Sequence, residues 1–583
     1  MVNLRRLQRL GAYLRPHWKK VLLGIFALLV VNAVNVWIGL LVGDTIDTLR
    51  QSFSFEQLWG FVPLILALAS LMWLIRMSSR ILLFGVGREV EFDLKQEIFQ
   101  HLLFLEPAFF TTNTSGDLIS RATSDVDNVR ALLGFAVLSL VNTVFAYTIT
   151  LPVMLTLDAS LSVKAIAIYP LMLISIQLFS GKLRDQQREV QEQLAHLSEL
   201  IQEDISGIAL IKIYAQETNE RRAFANINRQ LLTANLKLAR TRNILFPFVE
   251  GLSSISLLVL LALGARAIAA GEITPGDFVT LIFLTSSLVF PTALLGFTIT
   301  RYQRGEVSID RIESILQVQP QIQDRANAVS LVPETVKGKL SAHDLSYTYP
   351  GTPTPALDRI SFTIFPGETV AVVGPIGAGK STLANALPRL LNIEEGQLFL
   401  DNIDITKLRL QDLRQAIAYV PQDSFLFSTT IKNNIRYGDP LRESPDISEA
   451  SQQAQIHPEI LNFPQQYETL VGERGITLSG GQRQRTSLAR ALLVDAAILI
   501  LDDALSSVDN QTATQILRNL SSGVHRKTVI FITHQLAAAA TADRILVMER
   551  GKIVQSGTHD QLLEESGLYR SLWQQHQLEE VLQ

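Results

Sequence analysis

Six apolar stretches, at residues 21–42, 58–82, 131–155, 161–179, 244–270 and 278–300, occupy the first half of this 583-residue chain. Each reaches the roughly 20 residues a helix needs to cross a bilayer core about 30 Å thick. A hydrocarbon interior offers no water to backbone N–H and C=O groups, so such stretches can only be helices there. Any one of them could be a buried helix of a soluble protein; six together cannot. Across the chain 48 % of residues are hydrophobic and the mean hydropathy is +0.23, too apolar for an ordinary soluble protein of this length. The expected fold class is a multi-domain membrane protein with an all-α, six-helix transmembrane domain.

Charge sets the orientation. Arg5, Arg6, Arg9, Arg15, Lys19 and Lys20 precede the first stretch with no acidic residue among them, which places the N-terminus in the cytoplasm. The connections 157–160 and 271–276 carry no Lys or Arg, as suits the outer face. An even number of spans then returns the chain to the cytoplasm, so the expectation is a multi-pass protein of the plasma (inner) membrane. The first apolar run is too long for a signal-peptide core, and no cleavage site follows it. Two hydrophilic excursions, 87–130 and 181–242, read as helices continuing beyond the membrane rather than as loops. Within the spans, Glu250 is the first candidate for substrate contact, because an intramembrane acid tends to face a bundle interior; a packing or interface role is the alternative, since it lies only one to two turns from the cytoplasmic end. Arg76 and Arg80 are expected to snorkel to the membrane edge, and Asn32, Asn35, Asn142 and Thr143 to join helices. None of these names a substrate.

The second half carries the chemistry. Gly374-Pro375-Ile376-Gly377-Ala378-Gly379-Lys380-Ser381-Thr382 is a complete phosphate loop. The apolar, β-branched run Thr369–Val373 before it reads as a buried strand, and a helix from Lys380 is stopped near Pro388. Backbone N–H groups freed by the glycines and a helix N-terminus suit an anion. Lys380 suits the outer phosphates, and the Ser381 hydroxyl suits Mg²⁺. Further on come Tyr419-Val420-Pro421-Gln422, then Leu478-Ser479-Gly480-Gly481-Gln482, then Ile498-Leu499-Ile500-Leu501-Asp502-Asp503, with Ser506-Ser507-Val508-Asp509 and finally His534 beyond the strand-like Thr528–Ile532.

Phosphate loop, LSGGQ and an apolar run ending in acids, in that order, resemble the ATP-binding cassette (ABC) family. Together with the six spans, the chain resembles its exporter-type half-transporters over roughly residues 4 to 578. The resemblance implies a type I transmembrane domain at 1–310, a linker at 311–338 and an α/β P-loop cassette at 339–583, using ATP and Mg²⁺. It implies that Tyr349 stacks on adenine and that the loop from Gly374 to Thr382 cradles the phosphates. Ser381, Gln422 and Asp502 would hold Mg²⁺, while Asp503, Gln422 and His534 serve hydrolysis. Leu478, Ser479, Gly480, Gly481, Gln482 and Asp509 would meet the nucleotide of a second cassette packed head to tail. Thr469-Leu470-Val471-Gly472-Glu473-Arg474-Gly475 is similar to the segment preceding the signature in exporters. Phe109-Phe110 with Gly116 to Arg121 and Asp125, and Gly207 to Glu217, are similar to exporter excursions that end in short helices docked on the cassettes.

One position departs from the pattern: Asp503 stands where the family places glutamate as general base. One methylene fewer leaves the carboxylate about 1.5 Å short of a reach that must close to about 2.6–3.2 Å, and a shortfall near 1 Å can cost on the order of a hundredfold in rate. The site on this chain's own phosphate loop is therefore expected to bind ATP and hydrolyse it slowly. Aspartate there with an intact LSGGQ resembles one subunit of asymmetric heterodimeric, multidrug-resistance-like exporters. The expected function is ATP-driven export of a small hydrophobic, amphipathic, drug-like or lipid-like substrate, with a second half-transporter and the bilayer as partners. A homodimeric lipid flippase and a nucleotide-gated channel on the same scaffold are the alternatives. The absence of cysteine excludes disulfides and thiol chemistry. A net charge of −4 with no basic tract argues against nucleic acid.

Overall fold

The structure, a computed structural model, describes residues 11–53, 55–332, 335–472, 475–521 and 526–582. Arg5, Arg6, Arg9, Glu473 and Arg474 lie outside the described residues. Two compact units divide the chain: Met1–Leu103 with Thr114–Val318, and Phe104–Asn113 with Gln319–Gln583.

Six helices of the first unit are long and apolar enough to cross a membrane, among the described residues. Their main segments are α1 (Trp18–Gln51), α2 (Phe55–Phe104), α3 (Val137–Leu157), α4 (Tyr169–Ser206), α5 (Glu217–Ala270) and α6 (Pro275–Leu316). At 1.5 Å per residue, α2 and α5 run roughly 75–80 Å, far beyond a bilayer core. The hydrophilic excursions are thus mostly continuous helix, turning at the short helices Pro107–Thr112 and Ile208–Ile213. The fourth apolar stretch is not one helix: Ala159–Ile166 ends and α4 starts anew at Tyr169. Pro170 is the cause, because a residue without an N–H fits a helix's first turn and not its interior.

Packing follows the helical period. Val86, Val90, Leu94 and Ile98 form one buried stripe on α2, against Val126, Val129 and Leu133 and against Ile309 and Ile312 of α6. Leu66, Trp73 and Ile81 point out of the unit, as lipid-facing side chains do. Asn32 Nδ2 donates to Asn142 Oδ1 at 3.1 Å, and Thr143 Oγ1 to the Pro291 carbonyl at 3.4 Å, so these polar residues do join helices. Arg76, half-buried, and Arg80, exposed, both line a cavity among α1, α2, α3 and α6. Glu250 is exposed on α5 and does not line that cavity. The excursion motif has a structural basis: Arg311 of α6 pairs with Asp117 at 2.7 Å and with buried Asp125 at 3.2 Å, while Arg121 also holds Asp117.

The second unit has two sheets. Four strands, β1 (Leu340–Tyr347), β2 (Leu357–Ile364), β4 (Leu398–Leu400) and β5 (Ile403–Asp404), make an antiparallel sheet in the order β2-β1-β4-β5. The central sheet has the order β10-β9-β3-β8-β7-β6, from β3 (Thr369–Val373), β6 (Ile417–Val420), β7 (Ile498–Asp502), β8 (Thr528–Ile532), β9 (Arg544–Glu549) and β10 (Lys552–Gly557). All of its neighbours are parallel except β10 with β9. Every residue of β3, β7 and β8 is buried, because successive side chains feed two different cores. Ala371 and Val373 pack on one side, Val370 and Val372 on the other. The tip of the first excursion packs with this unit, where the Gln321 N–H donates to Glu106 Oε2 at 3.3 Å.

Candidate functional site

Four chemistry-bearing segments leave the central sheet at the same end. The phosphate loop follows β3, Gln422 follows β6, Asp502 and Asp503 close β7, and His534 follows β8. In parallel sheets the crevice outside the carboxyl ends of the strands is where ligands bind. Here it is a cavity of about 450 Å³ that gathers Tyr349, residues 376–382, Gln422, Asp502, Asp503 and His534.

The loop's shape depends on glycine. Gly379 has φ +95°, and a Cβ there would lie 2.4 Å from the Ala356 carbonyl oxygen. The next residue opens helix α7 (Lys380–Ala386), whose first N–H groups face the cavity. Lys380 is buried and donates to the Gly374 and Pro375 carbonyls at 2.7 and 2.9 Å. Burial pulls its pKa down against the attraction of Asp503 and Asp502, so an anion arriving in the cradle meets a cation already stripped of water.

Ser381 Oγ donates to Asp502 Oδ1 at 2.9 Å, and the Tyr419 hydroxyl reaches Asn385 at 2.9 Å and Asp502 Oδ2 at 3.4 Å. Burial raises the pKa of Asp502. Mg²⁺ takes one or two carboxylates plus phosphate and water oxygens. Ser381, Asp502 and Gln422 offer it that hard oxygen set, and when bound it would neutralise phosphate charge there.

Asp503 sits in the left-handed region at φ +49°. Its N–H donates to the Ile532 carbonyl at 3.0 Å, and its own carbonyl accepts from Ser506 Oγ at 2.9 Å. Burial lifts the pKa of its carboxyl above the ordinary aspartate value, while His534, Lys380 and a hydrogen bond from Gln422 pull the other way. The short side chain therefore still faces the groups that a hydrolytic site needs. Tyr349 is partly exposed beside the cavity, its ring edge-on to Tyr347 at 5.0 Å and its hydroxyl 3.3 Å from Thr382 Oγ1.

LSGGQ does not line this cavity. Ser479 instead caps helix α9 (Gly480–Leu492): its Oγ accepts from the Gln482 N–H at 3.2 Å, and Gln482 Oε1 accepts from the Ser479 N–H at 3.0 Å. That reciprocal box holds the start of the helix. A Cβ on Gly481 would lie 2.8 Å from the Ser507 carbonyl, so signature and the Ser506 to Asp509 loop are in contact. Asp509 Oδ1 accepts from the Thr512 N–H at 2.9 Å, away from the nucleotide cavity.

Residues 21–292 match the family model of the ABC transporter transmembrane region, and residues 357–506 match a second family model, ABC transporter. The chain is 34 % identical to the probable multidrug resistance ABC transporter ATP-binding/permease protein YheI of Bacillus subtilis, over 98 % of both chains. It is 33 % identical to the multidrug resistance-like ATP-binding protein MdlA of Escherichia coli, over 99 % and 98 %. The chain belongs to the ABC transporter family, as an exporter-type half-transporter. It is also 33 % identical to the ATP-dependent lipid A-core flippase of Syntrophus aciditrophicus, over 98 % of this chain and 94 % of the other. The fold matches that of a bacterial Atm1-family ABC exporter solved with ATP bound, with a TM-score of 0.78 at 24 % identity, covering 96 % of this chain and 99 % of that one.

Three side chains at this ABC cassette's site escape a reading of motifs. Gln484, buried, receives the Ser507 N–H at 2.8 Å and donates to Ser506 Oγ at 2.9 Å, tying α9 to the Asp509 loop. Glu459, in helix α8 (His457–Asn462), accepts from Gln482 Nε2 at 2.9 Å and pairs with Arg485 at 2.7 Å. Tyr419 orients Asp502. The only hint in the sequence is that Gln484 and Arg485 are polar residues on the first turns after LSGGQ.

Proposed function

We propose that this chain is one half of an ATP-driven exporter of a small hydrophobic or amphipathic substrate, paired with a different half-transporter carrying glutamate where this chain has Asp503. The separation of phosphate loop and signature supports an assembly of two cassettes, since Leu478 to Gln482 contributes no wall to the chain's own ATP cavity; Asp503 in place of glutamate is what favours a different partner over a second copy. The exposed apolar tip of the second excursion, with Ile208, Leu210 and Ile213 between 51 % and 74 % exposed, also suits docking on a second copy of the cassette architecture. The basic N-terminus supports a bacterial-type inner-membrane location with the ATPase in the cytoplasm.

In this reading Lys380 binds the outer phosphates. Gln422 orients the attacking water, Asp503 accepts its proton at a carboxylate oxygen, and His534 holds the phosphate end. Closing the cassettes turns the membrane cavity outward, and hydrolysis resets it. Asp503 makes the reset slow at this chain's own site. A homodimeric lipid flippase is the second reading, favoured by the flippase among the relatives. Inside-out vesicles should accumulate a lipophilic dye only with ATP, and Lys380→Ala should abolish the uptake. ATP-dependent conductance without accumulation would instead make the protein a channel.

A further inference from the structure

The membrane unit has an open cavity of about 540 Å³ walled by α1, α2, α3 and α6, with Arg80 and Phe290 exposed at its wall. A second of about 380 Å³ adjoins it, the two sharing Phe84, Phe135 and Leu294 as walls. Apolar side chains such as Val31, Leu138 and Phe290 form much of the first cavity, alongside Asn35, Ser286 and Ser287. The charges are all of one sign. Arg76 and Arg80, one helical turn apart on α2, line the first cavity, and Arg130 and Arg301 line the second; no acidic residue lines either.

Arg130 is already neutralised, by Asp127 at 2.5 Å and Glu91 at 3.3 Å. No described carboxylate pairs with Arg76, Arg80 or Arg301. Half-buried Arg76 donates to the Met72 sulfur at 3.6 Å, and a thioether is a weak acceptor. Uncompensated guanidinium groups in a membrane domain are costly and face a pathway or a partner. A planar fork of donors matches carboxylate and phosphate oxygens. A cation of the same size would add repulsion to desolvation, so the same arginines that attract one class reject the other.

We propose that this cavity is the substrate site and takes an amphiphile with an anionic head, phosphate or carboxylate, held by Arg76 and Arg80, with its apolar tail along Phe84, Phe135 and Phe290. The proposal rests on the exporter reading for its meaning, but its test is a binding measurement without nucleotide, so failure of transport and failure of charge selection are told apart. The full-length protein, in the assembly in which it purifies, is placed in phosphatidylcholine nanodiscs with radiolabelled dodecyl phosphate. Unlabelled dodecyl phosphate, dodecyltrimethylammonium and dodecyl maltoside compete below their micellar concentrations. Dodecyl phosphate should displace the label at concentrations at least tenfold below those the ammonium compound needs. Arg76→Gln with Arg80→Gln should shrink that preference at least tenfold while dodecyl maltoside still binds, and Arg76→Lys with Arg80→Lys should keep it. Displacement by dilauroyl phosphatidic acid at still lower concentration would make the anion a bilayer lipid; displacement by the single-chain phosphate alone would make it a soluble amphiphile, and both support the assignment. Absence of displaceable dodecyl phosphate, equal or better binding of the cation, or an unchanged preference in the glutamine pair would overturn it.

Discussion

Asp503 combines two properties that pull against each other. Its backbone is pinned in a left-handed conformation by β8 and Ser506, one that Asp and Asn tolerate better than longer side chains do. In the proposed reading, where Asp503 is the base, its carboxyl is one methylene short. Lengthening it by one methylene recovers about 1.5 Å of reach, and a misplacement of about 1 Å is already worth on the order of a hundredfold when geometry is otherwise right. Asp503→Glu should therefore raise ATP turnover at this chain's own site by about tenfold or more, measured as phosphate release from the purified full-length protein. No change would sink the reach argument. The raised pKa of Asp503 sets the pH dependence. The carboxylate accepts a proton only while ionised, so activity is present above the folded-state pKa and lost as pH falls through it. Because burial raises that pKa in the free protein, the acid limb of kcat/KM should lie above the ordinary aspartate value of about 3.9. A limb at or below that value, in a profile recorded with the protein still folded, contradicts the assignment of Asp503 as base.

At the scale of elements, the signature helix shows how a motif is held by residues outside it. A carboxylate can only accept hydrogen bonds, so Glu459 forces the amide of Gln482 to present its nitrogen. Gln482 Oε1 is then left for the Ser479 N–H. Ser479 Oγ already accepts from the Gln482 N–H, which leaves its hydroxyl proton free to donate outward. Glu459→Ala should lower ATPase activity about fivefold to tenfold, in keeping with about 1–1.5 kcal/mol for a partly exposed charged hydrogen bond. Combined with Gln482→Ala it should add little further loss, since the two act as one unit. Full additivity of the two losses in kcat/KM would mean that Glu459 acts elsewhere. The contrast marks what could be read beforehand. The phosphate loop, Gln422, the acids after β7 and His534 are legible because each chemistry is written in a few consecutive residues at a strand end. The six spans and the helical excursions are legible from length and apolar pattern. Glu459 and Gln482, 23 residues apart, meet only in the folded cassette, and the cavity wall that Arg76 and Arg80 share depends on how four helices come together around a space. Hydropathy along one chain contains neither.

For the whole molecule the question is what completes each ATP site. Ser479 and the chain's own phosphate loop belong to one cassette, yet the signature stands outside the cavity that Lys380 and Asp503 line. If a second cassette supplies the missing wall, each chain's signature serves the other's nucleotide. In a mixed pair the sites are then unequal: one combines Asp503 with the partner's signature, and the other combines the partner's base with Ser479. Ser479→Ala should remove most hydrolysis of such a pair, because it strikes the faster site, while Asp503→Asn should remove little. In a pair of identical chains both sites carry both residues, so either substitution should reduce activity to a similar degree. Mass measurement of the complex purified from native membranes fixes which case applies, and the two variants measured in that same complex then check the wiring. A mixed complex in which Asp503→Asn is as damaging as Ser479→Ala would mean that Asp503 turns over ATP as fast as its partner's base, and the asymmetric reading would fall.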